Sequence, residues 1–243
     1  MRDSSQKKLP IGIQTFAKIR EDNHYYIDKT PMAYQLASQG SHYFLSRPRR
    51  FGKSLFLDTL AELWAGNEAL FQGLWIHDKW DWSVSYPVIR ISFGGGVMRS
   101  AEGLQERIQH ILQSEGERFG LSYRTNSIVD RFIDLIQHAH KQSGQRVVVL
   151  VDEYDKPILD TLFDRERAEL FRASLRGIYT QIKSKDAQTR FVFMTGITKF
   201  TKTGVFSAMN NLNDISMDDR YAEMLGYTEE ELLAHFSGYI AET

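Results

Sequence analysis

The chain contains no cysteine, which excludes a disulfide framework, a thiolate metal site and a cysteine nucleophile and makes a reducing cytoplasm the simplest compartment. It also lacks an excess of charge of either sign. Thirty basic against thirty-one acidic residues leave a formal net charge of −1, so no global attraction to nucleic acid or to a membrane surface is expected, and any such partner must rest on a local cluster. Long hydrophobic runs are missing too. The longest aliphatic one, Val147 to Val151, is far too short to span a bilayer, and the polar opening MRDSSQKK has no apolar stretch of the kind a signal peptide carries. There is no low-complexity segment and no internal repeat. Against these absences stand 243 residues with 42% hydrophobic content, ample for a substantial core in one large domain, or in a domain with part of a second.

The most informative stretch is Ser46 to Leu55, SRPRRFGKSL, where a short apolar strand, a Gly-Lys-Ser and an apolar helix follow one another. The phosphate-loop consensus is Gly, any four residues, Gly-Lys, then Ser or Thr. Gly52, Lys53 and Ser54 match it, while Arg47 stands where the first Gly belongs. Gly52 lets backbone N–H groups approach phosphate oxygens, Lys53 supplies a point charge to the β/γ-phosphates, and Ser54 can offer its hydroxyl to Mg²⁺ at the helix N-terminus. Arg47 requires a backbone conformation that a Cβ tolerates, and Pro48 fixes a further φ, so the loop is expected to be stiffer than the usual one.

The surrounding pattern supplies the context such a loop needs. His42 to Ser46 reads as the strand before it, and Leu55, Leu57, Leu60, Leu63 and Trp64 mark the helix after it. Tyr86 to Phe93 reads as a second strand. Leu104, Ile108, Ile111 and Leu112 form one helical face, and Ile128, Phe132, Leu135 and Ile136 another. Arg146 to Glu153 (RVVVLVDE) has the near-continuous β-branched character of a central parallel strand buried on both faces. Phe171, Leu175, Ile178 and Ile182 mark the next helix and Arg190 to Gly196 the next buried strand. This alternation predicts an α/β fold, a three-layer α/β/α P-loop NTPase with a parallel central sheet. Residues 1–217 would form that core with its lead-in. Residues 218–243, containing TEEELLAHF, would begin a helical subdomain.

A strand ending in Asp-Glu is the partner a phosphate loop requires: Asp152 is the candidate for holding Mg²⁺ and Glu153 for polarising the attacking water. Thr195, closing FVFMT at the end of the strand expected beside the loop strand, is the candidate for feeling the γ-phosphate, with Thr198 and Lys199 as substitutes. The full set is therefore Glu153, Lys53 and Thr195 for chemistry, Arg49, Arg50, Phe51, Gly52, Lys53, Ser54 and Leu55 for ATP, and Ser54 with Asp152 for Mg²⁺. The basic cluster Arg47, Arg49, Arg50 and Lys53 reads two ways, reaching or bracing around the triphosphate, or binding a nucleic-acid backbone; its place inside the loop and the balanced total charge favour the first.

Other features point elsewhere. His138 and His140, two apart on a helix, do not share a face and are not expected to ligate a metal. Gly94-Gly95-Gly96 is not a dinucleotide fingerprint and reads as a flexible loop. Trp64, Trp75, Trp80 and Trp82 read as core or helix-packing anchors rather than stacking platforms for bases.

With these residues in place, the chain resembles the AAA-ATPase-like family of bacterial P-loop proteins, whose members are often joined to a C-terminal domain similar to PD-(D/E)XK nucleases. The resemblance rests on LPIGIQTFAKI, YYIDKT, RPRRFGKSL, LFQGLWI, YPVIRISF, VVVLVDEYDKPI and TGITKFTKTGVFSAMNNLNDIS. It implies that Arg at the loop's leading position is tolerated, that Gly52, Lys53 and Ser54 serve phosphate and Mg²⁺, and that Asp152 and Glu153 serve metal and water. Asp28, Tyr154, Asp155 and Asn210 carry no assigned role, and no nuclease segment precedes Thr243. The resulting expectation is an ATP-binding, ATP-hydrolysing, Mg²⁺-using domain acting as motor or switch for an attached or associated effector. Two other readings stay open: a nucleotide-gated switch with negligible turnover, and a nucleic-acid-directed defence or processing ATPase coupled to a nuclease domain. Oligomeric state is left open.

Overall fold

A computed structural model describes residues 7–96, 100–161, 164–198 and 211–240. Its centre is strand β3 (Val147–Asp152), in which every residue is buried, the result of placing an unbroken β-branched run between two layers of helices. Strands β1 (His42–Ser46), β2 (Val88–Ser92), β4 (Thr189–Gly196) and β5 (Asn213–Asp214) join it in a five-stranded sheet of order β2-β3-β4-β1-β5. All pairings are parallel.

Because side chains alternate along a strand, each face of the sheet builds its own core. Val147, Val149 and Val151 of β3, with Val192 and Met194 of β4, pack under α4 (Ala101–Arg118), α5 (Ile128–Ser143) and α7 (Arg165–Ser184). On the opposite face Val148 and Leu150, with Phe191 and Phe193, pack under α1 (Phe16–Glu21), α2 (Thr30–Gln39) and α3 (Lys53–Ala65). This is a three-layer α/β/α architecture.

Element boundaries differ little from the sequence reading. The strand expected to end at Glu153 ends at Asp152, since Glu153 turns into the left-handed region at φ 52° and leaves the ladder. The second strand is trimmed to Val88–Ser92. After Asp218 the chain makes a short 3₁₀ turn over Asp219–Tyr221 before α8 (Glu229–Ile240), while the short α6 (Lys156–Leu159) follows the Asp-Glu turn. Helix α8 lies against the N-terminal lead-in: Lys29 pairs with Glu231 at 2.5 Å, Tyr239 Oη donates to the Lys7 carbonyl at 2.7 Å, and the Tyr25 and Phe236 rings stand 5.2 Å apart.

Candidate nucleotide site

The strand order decides the site. β4 is inserted between the loop strand β1 and the Asp-Glu strand β3, with Leu45 opposite Thr195 and Val151 opposite Met194, so three strand ends converge at one edge. At that edge the Ser54 hydroxyl donates to Asp152 Oδ2 at 2.6 Å and the Thr195 hydroxyl donates to Oδ1 at 2.5 Å. One carboxylate thus links the loop helix, β3 and β4. Thr195 is wholly buried, so in this geometry its hydroxyl orients Asp152 rather than opening onto solvent.

The loop itself meets its conformational demands at Gly52, φ 90°, and Arg50, φ 63°. Arg47 has no such demand, and this is how Arg can replace the consensus Gly. Its guanidinium instead donates to the carbonyls of Ser46 (3.1 Å) and Ser216, and its N–H to the Gly196 carbonyl at 3.2 Å, tying the loop's entry to the ends of β1, β4 and β5. Lys53 Nζ, nearly buried, donates to the Arg47 and Pro48 carbonyls at 2.8 Å each. Burial lowers its pKa, and the Asp152, Glu153 and Asp155 carboxylates oppose that shift. Arg49, Arg50 and Phe51 are exposed around the loop's mouth.

Glu153 stands beside this centre. Its N–H points at the Thr195 hydroxyl at 3.4 Å, and a Cβ on Gly94 would come 3.3 Å from its Oε2, so the glycine run after β2 gives the carboxylate room. Burial, and then the neighbouring Asp152, push its pKa above the usual carboxylate value. A non-glycine residue at positive φ beside converging polar groups is the kind of strain that collects at functional sites.

Asp155 was without a role from sequence and is a principal organiser in space. Fully buried, its Oδ2 accepts from the Ile197 N–H (2.8 Å), the Thr198 N–H (2.8 Å) and the Thr198 hydroxyl (3.0 Å), while Tyr154 Oη donates to the Thr198 carbonyl at 2.8 Å. The segment after Thr195 is therefore clamped to the segment after Glu153. The D-E-Y-D spacing was the available signal, but a carboxylate two residues beyond the dyad does not announce its partner from sequence. Thr198 serves in this clamp; Lys199 and Asn210 lie outside the described residues. Asp28 accepts from the Thr30 N–H (2.9 Å) and the Trp75 N–H (2.7 Å) and so fixes the start of α2.

Two adjoining cavities open on the loop. A groove of 720 Å³ is walled by Gly12, Arg49, Lys53, Ser54, Glu153 and Tyr227. A smaller, apolar cavity of 150 Å³ is lined by Tyr25, Ile27, Phe51, Phe56, Leu225 and Tyr227, and shares Phe51, Gly52 and Tyr227 with the groove. Both are completed by the lead-in and by the segment before α8, at opposite ends of the chain.

The remaining features fall outside the site. His138 Nε2 and His140 Nδ1 contact different carbonyls, those of Phe119 and Gln145, at 2.9 Å each. Trp64, Trp80 and Trp82 pack against one another or their neighbours, whereas Trp75 is 42% exposed.

A family profile described as "Predicted AAA-ATPase" matches residues 10–206, from the lead-in through the phosphate loop and the Asp-Glu strand to beyond Thr195. The chain belongs to this AAA-ATPase-like family. It is 58% identical over 234 residues to a protein of Azotobacter chroococcum mcd 1 described as "Uncharacterized protein in vnfD 5'region". The match takes in 96% of this chain and 45% of that relative, so the AAA-ATPase-like chain spans less than half of the relative's length. No solved structure matches it. Among the described residues, no helix is long and apolar enough to cross a membrane.

Proposed function

We propose that the chain binds ATP with Mg²⁺ in the groove beneath the phosphate loop and hydrolyses it, serving as motor or switch for an attached or associated effector. The observation that carries this reading is the Ser54–Asp152–Thr195 chain of hydrogen bonds, which brings the loop hydroxyl and the strand-end carboxylate together beside Glu153.

The charge balance supports a metal. Asp152, Glu153 and Asp155 face the cations Lys53, Arg49 and Lys156, so the charges around the groove are close to balanced before a polyanionic triphosphate enters, and a cation accompanying it would offset its added charge. Among the described residues no group of three or more His, Cys, Asp or Glu side chains forms a metal site of its own. Ser54 and Asp152 are instead an oxygen pair suited to a hard cation that draws its other ligands from phosphate and water. Ser54 and Asp152 would hold Mg²⁺, which would supply positive charge to offset that of the phosphates. Lys53 would exchange its bonds to the Arg47 and Pro48 carbonyls for phosphate oxygens. The N–H groups of Gly52 and the first turn of α3 would hold the phosphates, Glu153 would orient and polarise the attacking water, and the apolar cavity would take the base.

Glu153→Gln separates binding from chemistry, since it keeps the side chain's size and removes its charge. Calorimetry should find ATP binding retained while turnover falls by about a hundredfold or more, the scale of a positioned general base. Parent-like hydrolysis by the variant would remove Glu153 from this role.

A further inference from the structure

A second cavity, of 300 Å³, lies at the opposite pole of the sheet, between α2, the last turn of α3, the Lys79–Tyr86 stretch and the start of β4. Helix α3 carries Lys53 at one end and Trp64 near the other, which at the rise of an α-helix separates this cavity from the phosphate loop by roughly 16 Å. β4 spans the same gap from Arg190 to Thr195. The cavity therefore belongs to neither compartment of the nucleotide site.

Its wall is aromatic. Trp64, 1% exposed, meets the Trp80 ring edge to face at 5.0 Å and the Tyr86 ring at 5.1 Å. The indole Nε1 atoms of Trp64 and Trp80 are both buried without a hydrogen-bond partner among the described residues. Over the Trp64 ring, 5.0 Å from its centre, stands the guanidinium of Arg190. Its hydrogen bond is from Nη2 to the Ala37 carbonyl at 3.5 Å, the limit for such a bond, and among the described residues no carboxylate pairs with it. The neighbouring charges are committed elsewhere. Asp81 turns back to accept from the Ser83 N–H (3.1 Å) and hydroxyl (2.5 Å), and Lys79 pairs with Asp78 at 2.6 Å and lies over Trp75.

A guanidinium held by stacking on an indole keeps its N–H edge and its charge available, and partial burial strengthens its pull on an anion. Its planar fork matches a carboxylate in bidentate fashion, and the rings around it match a flat apolar body. We propose that this cavity is a second ligand site, taking a small planar organic carboxylate with the carboxylate on Arg190 and the body against Trp64, Trp80 and Tyr86. The assignment does not depend on the nucleotide reading.

The probe is benzoate, titrated into the full chain and followed by calorimetry and indole fluorescence, with benzamide as its neutral counterpart. Benzoate should bind saturably, and benzamide more weakly by about tenfold or more, the scale of a hydrogen bond to a charged group. Arg190→Gln should lose a similar factor with its melting temperature close to the parent's, and ATP should not displace benzoate. Trp80→Phe, which retains an aromatic core residue but removes the indole, should also weaken binding and decides the matter alongside benzamide if Arg190→Gln does not fold. Absence of saturation, equal binding of benzamide, displacement by ATP, or unchanged affinity in a folded Arg190→Gln would each overturn the site.

Discussion

At the scale of single residues, the candidate site holds charges at a cost to the unliganded fold. Lys53 is nearly buried and its pKa is lowered by that burial, so its ammonium is in part desolvated. Lys53→Ala should leave the fold intact and cut ATP affinity by roughly tenfold to a hundredfold, as expected when a polyanion loses a charged donor; unchanged affinity by calorimetry would refute the loop assignment. Glu153 shows the same cost with a defined pH dependence. Its folded pKa lies above the ordinary carboxylate value, so the folded state holds the proton more tightly and stability falls as pH rises from that ordinary value through the raised one. Glu153→Gln has no such charge to bury. Its melting temperature should exceed the parent's at neutral pH and converge with it in acid, and a variant that melts below the parent at neutral pH would contradict the burial of this charge.

At the scale of elements, the ends of β3 and β4 work as one unit because Asp155 and Tyr154 clamp Thr198 and the chain around it. Gly196 is what permits this closeness: a Cβ there would stand 2.6 Å from Tyr154 Cε1 and 3.0 Å from Asp155 Cγ. Gly196→Ala must push the two turns apart. We expect a loss of about 1–3 kcal/mol in denaturant unfolding, the usual range for overpacking, with Thr195 displaced from Asp152 and turnover reduced more than nucleotide binding. Full stability in the variant would show that the turns can shift freely.

At the scale of the whole molecule, the cavity beside the loop is closed by segments from both ends of the chain, with Tyr25 and Ile27 on one side and Leu225 and Tyr227 on the other. The Lys29–Glu231 pair and the Tyr25–Phe236 contact hold those ends together. If this cavity takes the base, Tyr227→Ala should weaken ATP binding by severalfold, the effect of removing an aromatic contact, while binding of tripolyphosphate, which has no base, stays the same. Equal losses for both ligands would move Tyr227 from the base to the phosphates.

The strands and long helices were legible because each buried segment carries its own period: the β-branched run at Val147–Asp152 and the spaced apolar residues of α3, α4, α5 and α7. The loop and the Asp-Glu pair stood out as candidates because the phosphate-loop pattern has particular residue types at a fixed spacing, and the structure brings Ser54 and Asp152 together. The short α1, α2 and β5 were not, since a six-residue helix and a two-residue strand have too little period and take their form from contacts. Nor were the tasks of Arg47, Gly94, Asp155 and Gly196, all of which act on partners distant in the chain. The sequence pattern places the Thr195 strand beside the loop strand, and β4 does pair with β1, but it does not say that β3 flanks β4 on the other side; that order puts Thr195 on Asp152 and sets Asp155 against Thr198. Local composition thus determined the layers and the loop, and the tertiary structure decided which side chains meet, because hydrogen bonds between strand ends depend on lateral order and register rather than on sequence separation.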